Sequence, residues 1–174
     1  MENKINFGPL SRLIGTWQGS KGLDIAPEED GTEERNKYHE TITFEEAGCF
    51  TNAEKQTLSV LRYPQLVQRK SNDEVIHDEV GFWIWDDEAK TVIRSFTIPR
   101  AMAVVAGGIY EASDNNEVVL KVSAAAEGSE WEISQSPFMK NNAKTVSFES
   151  KFKINGNKLT FYQKTVLDIY AKNL

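Results

Sequence analysis

The chain is poor in the residues that build metal and disulfide sites. It has one cysteine, Cys49, and two histidines, His39 and His77, in 174 residues. A single cysteine excludes an internal disulfide framework and a cysteine-cluster metal site, and two histidines leave little material for a histidine-rich one. Basic residues are also outnumbered: 20 Lys and Arg against 26 Asp and Glu give a net charge of −6. Because phosphate binding needs a basic face, this balance argues against a nucleic-acid partner.

Long apolar runs are missing as well. The longest, from Ala101 to Gly108, falls far short of the roughly 18 apolar residues that a membrane helix needs. The first seven residues carry mixed charge and no apolar segment, so we predict no secretory signal and no membrane span. With one unpaired cysteine, a reducing compartment is favoured, and we predict a cytoplasmic protein.

What the chain does have is apolar and aromatic material for a packed interior. Hydrophobic residues make up 40% of it, including nine Phe, five Tyr and four Trp. This excludes a disordered chain. The length predicts one domain over residues 1–174.

Period-two alternation predicts β-strands, because successive side chains of a strand point to opposite faces. The clearest example spans Thr145 to Ile154, where Val146, Phe148, Phe152 and Ile154 share one parity. Asn155-Gly156-Asn157 then supplies residues that tolerate a positive φ, and alternation resumes from Lys158 to Gln163. This pattern predicts a β-hairpin.

The same alternation recurs along the chain, with almost no helical periodicity. Only Phe7 to Leu13, with Pro9 near its start, predicts a short helical turn. About ten strands joined by short turns predict an all-β protein. Because successive strands would pair with each other, we favour a ten-stranded antiparallel up-and-down β-barrel over a Greek-key sandwich. The further predicted strands are Leu13–Gly22, Tyr38–Phe44, Glu74–Trp85, Lys90–Ile98, Ala101–Glu111 and Glu117–Ala125.

Polar residues on the inward parity of such a barrel are the candidate ligand contacts, since a barrel of this size can hold one small ligand. Glu40 shares its parity with Tyr38, and His77 and Glu79 share theirs with Trp83. Both faces of the 74–85 strand are apolar near its end, so hydrophobicity does not choose its inward face. A buried carboxylate requires a partner. Arg94 or Lys121 would serve if the glutamates point inward, and the alternative is that they lie in water.

Three motifs resemble the nitrobindin family, also described as fatty-acid-binding-protein-like and similar to the haem-binding domain of a human THAP protein. They are Gly15-Thr-Trp17-Gln-Gly19, Tyr38-His-Glu40-Thr-Ile-Thr-Phe44 and His77-Asp-Glu79-Val-Gly-Phe-Trp83. The resemblance implies a ten-stranded, calycin-like intracellular barrel with a cavity open at one end. It also implies ferric haem b held by a histidine on or just after the last strand, with reactivity toward nitric oxide or peroxynitrite.

The chain departs from that family pattern at the iron ligand. Residues 161–174 contain no histidine. His77 matches the family's other histidine, which is not the usual ligand, and Tyr170 is a weak alternative, as tyrosine ligates iron in catalase. Haem b is therefore a conditional cofactor: without a protein ligand it would lose the axial control that sets its reactivity.

Three functions follow as hypotheses. The first, which we favour, is a barrel that binds a small hydrophobic or amphipathic molecule in its interior. The second is a haem protein that reacts with nitric oxide or isomerises peroxynitrite. The third is a filled barrel with a structural or interaction role, for which a homodimer would be a suitable form. We predict no catalytic residues and no metal site, and the predicted ligand-binding residues are Trp17, Tyr38, Glu40, His77, Glu79, Trp83 and Arg94.

Overall fold

Alternating apolar and polar residues form eleven β-strands within residues 5–113, 115–170 and 172–173, the part of the chain that the computed structural model describes. The strands are β1 (Gly15–Pro27), β2 (Glu33–Asn52), β3 (Gln56–Arg69), β4 (Val75–Asp86), β5 (Thr91–Ile98), β6 (Met102–Ile109), β7 (Val118–Ala125), β8 (Ile133–Gln135), β9 (Ala143–Asn155), β10 (Lys158–Ile169) and β11 (Lys172–Asn173).

The strands form one antiparallel sheet in which sequence neighbours pair. The hydrogen-bonded order is β1-β2-β3-β4-β5-β6-β7-β9-β10-β11, and the short β8 pairs with β6 outside this path. The sheet curls into a nearly closed barrel whose seam lies between β1 and β10, which share no ladder in the described residues. The predicted all-β, up-and-down barrel is therefore confirmed. So is the hairpin at Gly156, whose φ is +56°.

A 3-10 turn at Gly8–Arg12 packs against one end of the barrel, where the predicted helical turn lies. Leu10 and Leu13 are fully buried there. This burial closes that end, because the turn contacts β4 and β7 across the barrel. The hairpin turns β1–β2, β3–β4 and β5–β6 lie at the opposite end, as the antiparallel order requires.

The period-two pattern did not anticipate four elements: β3, the short β8 and β11, and a short helix. No strand was predicted between residues 52 and 74, yet β3 occupies most of that segment. Its alternation is hidden because buried Gln65 stands next to exposed Leu66, and because Pro64 argues against a strand. The helix is α1 (Pro137–Asn142), six residues long, and its first turn is capped because Ser136 Oγ accepts a hydrogen bond from the Met139 amide.

No helix in the described ranges has the length and apolar character needed to cross a membrane. The short α1 is too brief to show a helical period, which explains why the sequence pattern did not reveal it.

Large side chains fill the middle of the barrel. Trp83, on β4, lies edge-on to Phe152 of β9, with ring centroids 5.2 Å apart. Phe96 and Phe148 pack with centroids 5.0 Å apart. All four residues are buried, so the interior between these strands is a packed core.

Candidate ligand-binding site

The inward face of β4 carries His77, Glu79 and Trp83. Glu79 and Trp83 are fully buried, whereas Asp78, Val80 and Phe82 on the other parity are exposed. The sequence left this choice open because both faces are apolar near the end of the strand. The Glu79 carboxylate therefore points into the barrel, and the free-energy cost of burying its charge must be offset by a partner.

Arg94, on β5, compensates it. The guanidinium Nη2 donates to Glu79 Oε1 at 2.6 Å, and Nε donates to the Tyr63 hydroxyl at 2.8 Å. Tyr63 in turn donates to the same carboxylate oxygen. Nη1 donates to Ser150 Oγ and Gln163 Oε1, both at 3.0 Å. Of the two partners expected from the sequence, Arg94 is the one in contact, and Lys121 is exposed on β7 and makes no ion pair within the described residues.

The guanidinium is also surrounded by aromatic rings. Its central carbon lies 5.0 to 5.7 Å from five ring centroids, within the range of a cation–π attraction. This cage holds Arg94, which is fully buried, among packed side chains at the barrel centre. The rings belong to Tyr63, Trp83, Phe96, Phe148 and Phe152.

The pair is ionised. Burial alone would raise the pKa of Glu79, but the attraction of Arg94 and the contacts with His77 outweigh it, and the net pKa lies below the ordinary value. Burial likewise opposes the charge of Arg94, and the neighbouring Glu79 outweighs it and raises the pKa of the guanidinium. Burial raises the pKa of Tyr63, so its hydroxyl stays protonated and donates.

A chain of polar contacts runs from this pair toward Glu40 on β2. Gln65 bridges the two: its amide oxygen lies 3.5 Å from Arg94 Nη2, and its Nε2 donates to Glu40 Oε2 at 3.0 Å. His77 Nε2 lies 3.0 Å from Glu79 Oε2. Burial raises the pKa of Glu40, which the Gln65 hydrogen bond and His77 only partly offset. Burial, with Glu40 nearby, raises the pKa of Tyr38 to about 12.

Glu40 faces a cleft at the seam of the barrel, which we call the seam cleft. Its volume is about 200 Å³. The apolar residues Trp17, Leu159 and Phe161 are partly buried against the core. The cleft thus joins an apolar wall to a small number of polar groups, as small-molecule sites do. The complete lining is Trp17, Gln18, Gly19, Glu40, Ile42, Asn157, Lys158, Leu159 and Phe161.

A second cleft of about 300 Å³ lies where β4 and β5 diverge. The two strands pair only from Val80 and Thr97 onward, so the residues before Val80 and after Thr97 separate. This cleft includes His77 and Arg100 in its wall. Its lining is Val75, Ile76, His77, Asp78, Ile98, Pro99 and Arg100.

The seven predicted ligand-binding residues therefore occupy different environments. Trp17 and Glu40 line the seam cleft, and His77 lines the second cleft. Tyr38 is half-buried. The other three, Glu79, Trp83 and Arg94, are fully buried in the core.

Some residues of the seam and of the network were not singled out from the sequence. Leu159 and Phe161 share the inward parity of β10, so their position was available from the alternation. Gln65 and Tyr63 lie on β3, the strand that the pattern missed, and no sequence signal pointed to them.

The described residues offer little for a metal ion. No group of three or more His, Cys, Asp or Glu side chains in that part of the chain could hold one. His39 points away from the interior and lies 3.6 Å from Asp73. Tyr170 lies at the β10–β11 turn, is 44% exposed and lines neither cleft.

Comparison with known proteins agrees with this architecture. The family model described as "THAP4-like, heme-binding beta-barrel domain" matches residues 6–172. The chain belongs to this family. A similar solved structure is the crystal structure of Rv2717c from M. tuberculosis: it has a TM-score of 0.64 and 17% sequence identity, and the match covers 90% of this chain and 83% of that one. At that identity the likeness shows the fold. No curated protein matches the chain.

Haem b, which the family implies, does not fit the described residues. The seam cleft and the second cleft hold about 200 and 300 Å³. Pockets for drug-sized ligands span roughly 300–1,000 Å³, and the haem macrocycle with its two propionates is large even for that class. His77 Nε2 faces Glu79, and the Arg94 cage fills the centre of the barrel.

Proposed function

We propose that the chain is a binding protein that holds a small amphipathic molecule in the seam cleft. The observation that supports this proposal is the pairing of an apolar wall, formed by Trp17 and Phe161, with one half-buried carboxylate, Glu40, at an interrupted seam of the barrel. Because β1 and β10 share no ladder there, a ligand could enter without breaking sheet hydrogen bonds.

The seam cleft is not at the barrel centre, where the sequence analysis placed the ligand cavity. That centre is filled by the Arg94 cage, and the charge of Arg94 is neutralised by Glu79. The filled centre supports the hypothesis of a filled barrel for the region around Arg94. The binding function is therefore proposed for the seam alone, with Trp17 and Glu40 as the two sequence-predicted residues that carry it.

A neutral fluorescent dye of one ring and a short ester chain, methyl anthranilate, tests the proposal together with a cleft-filling variant. The Gly19 backbone is not in the left-handed region, and a Cβ added there would lie 3.3 Å from Glu40 Oε1, the mobile end of a side chain. Gly19→Leu should therefore fold and fill the cleft. Ser20→Leu adds the same group at the next exposed position, outside the cleft, and is the matched control.

We expect saturable dye binding by the wild type, a loss of at least about tenfold in Gly19→Leu, and no change in Ser20→Leu. Native mass spectrometry of the protein purified from its source should show a small-molecule adduct that an organic extraction removes. Equal dye binding by all three proteins, or none by the wild type, would exclude the seam cleft as a ligand site.

The alternative function, a haem protein that reacts with nitric oxide or isomerises peroxynitrite, is motivated by the family match. A haem titration separates it from the proposal. We expect no saturable Soret band at micromolar haem, because neither cleft accommodates the macrocycle. A saturable band would favour the haem function, and its shift in His77→Ala or in Tyr170→Phe would identify the iron ligand.

A further inference from the structure

Within the described residues, only one of the two carboxylate oxygens of Glu40 accepts a hydrogen bond. Its Oε2 accepts a hydrogen bond from Gln65 Nε2 at 3.0 Å. Its Oε1 lies beside Gly19, where the missing side chain leaves the oxygen facing the cleft. Among the described residues, Oε1 accepts no hydrogen bond, and no Lys or Arg nitrogen lies within 4.0 Å of the carboxylate. A partly buried acceptor is therefore free to bind a donor from a ligand.

Among the described residues, the cations near Glu40 are either paired with another group or lie more than 4.0 Å from its carboxylate. Arg94 is paired with Glu79, and Gln65 stands between it and Glu40. Lys158 belongs to the cleft lining but is exposed at the β9–β10 turn, where water satisfies its ammonium. His77 acts on Glu40 by charge alone. The carboxylate has thus lost part of its hydration without gaining a cation in exchange.

The aromatic residues of the cleft suit a cation as well as an apolar body. The Trp17 indole N–H donates to the Leu13 carbonyl at 2.7 Å, so Trp17 presents ring surface to the cleft and offers no further donor. Phe161 is fixed by stacking on Phe152, with centroids 5.0 Å apart and planes 17° from parallel. Aromatic rings beside a carboxylate are a recurrent way to recognise an ammonium group, because both attract positive charge.

We infer that the ligand of the seam cleft is a small hydrophobic amine in its protonated form, with its ammonium donating to Glu40 Oε1 and its apolar body against Trp17 and Phe161. This inference rests on the proposed function and names the class of ligand. The volume of about 200 Å³ limits the body to about one ring with a short chain. A carboxylate ligand is disfavoured, since it would meet Glu40 as a like charge.

Three probes with the same phenyl body and nearly the same size test the charge. They are 2-phenylethylamine, the neutral 2-phenylethanol and the anionic phenylacetate, each titrated at neutral pH by calorimetry or by Trp fluorescence. We expect the amine to bind at least about tenfold more tightly than the alcohol and phenylacetate not to bind. In Glu40→Gln the amine should lose that advantage, while the alcohol binds within about twofold of its wild-type affinity.

Glu46→Gln is the matched control for charge, because it removes a carboxylate from the same strand at an exposed position that lines neither cleft. It should leave amine binding unchanged. If alcohol and amine bind equally to the wild type, or phenylacetate binds best, the amine inference is wrong and the binding function stands. If none of the three binds, the amine inference is wrong, and if Gly19→Leu also leaves methyl anthranilate binding intact, the proposed function itself is wrong.

Discussion

Glu79 and Glu40 face the same barrel interior, and their surroundings are opposite. Glu79 is fully buried and is met by Arg94, Tyr63 and His77. Glu40 is half-buried and receives one hydrogen bond, from Gln65. The pKa of the deeper carboxyl falls below its ordinary value, whereas the pKa of the shallower one rises. Compensation by partners, rather than depth, decides in which direction the pKa of each carboxyl moves.

The two regions therefore differ in how far the protein itself satisfies their charged groups. All three nitrogens of the Arg94 guanidinium donate hydrogen bonds to protein side chains. A buried network that is fully hydrogen-bonded in this way holds its strands in place. The seam carboxylate retains a free oxygen beside an apolar wall. We propose a structural role for the first region and ligand binding for the second.

The largest predicted effect comes from breaking the saturated region. Arg94→Met removes the cation and leaves Glu79 buried without it, which should lower the free energy of unfolding by about 3–5 kcal/mol. The measurement is urea denaturation followed by Trp fluorescence. The control is Arg62→Met on the exposed face of β3, where the ion pair with Glu45 is solvated and the expected loss is below about 1 kcal/mol.

Adding Glu79→Gln to Arg94→Met refines that result. With both charges gone, no uncompensated ion is left inside, so the double variant should be more stable than Arg94→Met alone. A double variant as unstable as the sum of the two single changes would mean that the network acts through packing and not through charge.

The next effect is a pH dependence that separates the two carboxylates. Because the folded pKa of Glu79 is depressed, the folded state binds its proton less readily than the unfolded state does. Its contribution to stability is present above the ordinary carboxyl pKa of about 4.5 and is lost as pH falls through the folded value. Unfolding curves should therefore show that the free energy of unfolding falls in acid, and that it falls less in Glu79→Gln than in the wild type. Equal acid sensitivity in the two proteins would contradict the ionised pair.

Gln65, which connects the two regions, allows a third test. Gln65→Leu removes the amide that donates to Glu40 and accepts from Arg94, and should cost about 1–2 kcal/mol because Gln65 is buried. Denaturation measures this. If the network is one unit, the losses of Gln65→Leu and Arg94→Met will not add.

The contrast between the regions also separates what the sequence could predict from what it could not. Alternation along β9 and β10 predicted the hairpin and supported the barrel prediction, because period two follows from strand geometry. It could not choose the inward face of β4, since Phe82 and Trp83 are both large and apolar. It also missed β3, and with it Tyr63 and Gln65, because a buried glutamine beside an exposed leucine breaks the pattern.

The resemblance to haem-binding barrels predicted the family and the fold correctly, because three strand motifs carry it. It could not predict the filled centre. Arg94 was named as a candidate partner for a glutamate and as a ligand-binding residue, and the cage of five rings around it joins strands far apart in the chain. Long-range side-chain contacts of this kind leave no periodic trace.

The smallest predicted effect has the opposite sign and lies at the seam. Because the folded pKa of Glu40 is raised, its charge opposes folding, and stability is lost as pH rises through the folded value. Glu40→Gln removes that charge and keeps an oxygen that accepts from Gln65. It should raise the free energy of unfolding at neutral pH by at most about 1 kcal/mol, since the carboxylate is partly solvated. The gain should vanish in acid, where Glu40 is protonated in both states. A loss of stability at neutral pH would mean that the seam carboxylate is structural, like Glu79, and would remove the physical basis for placing a ligand there.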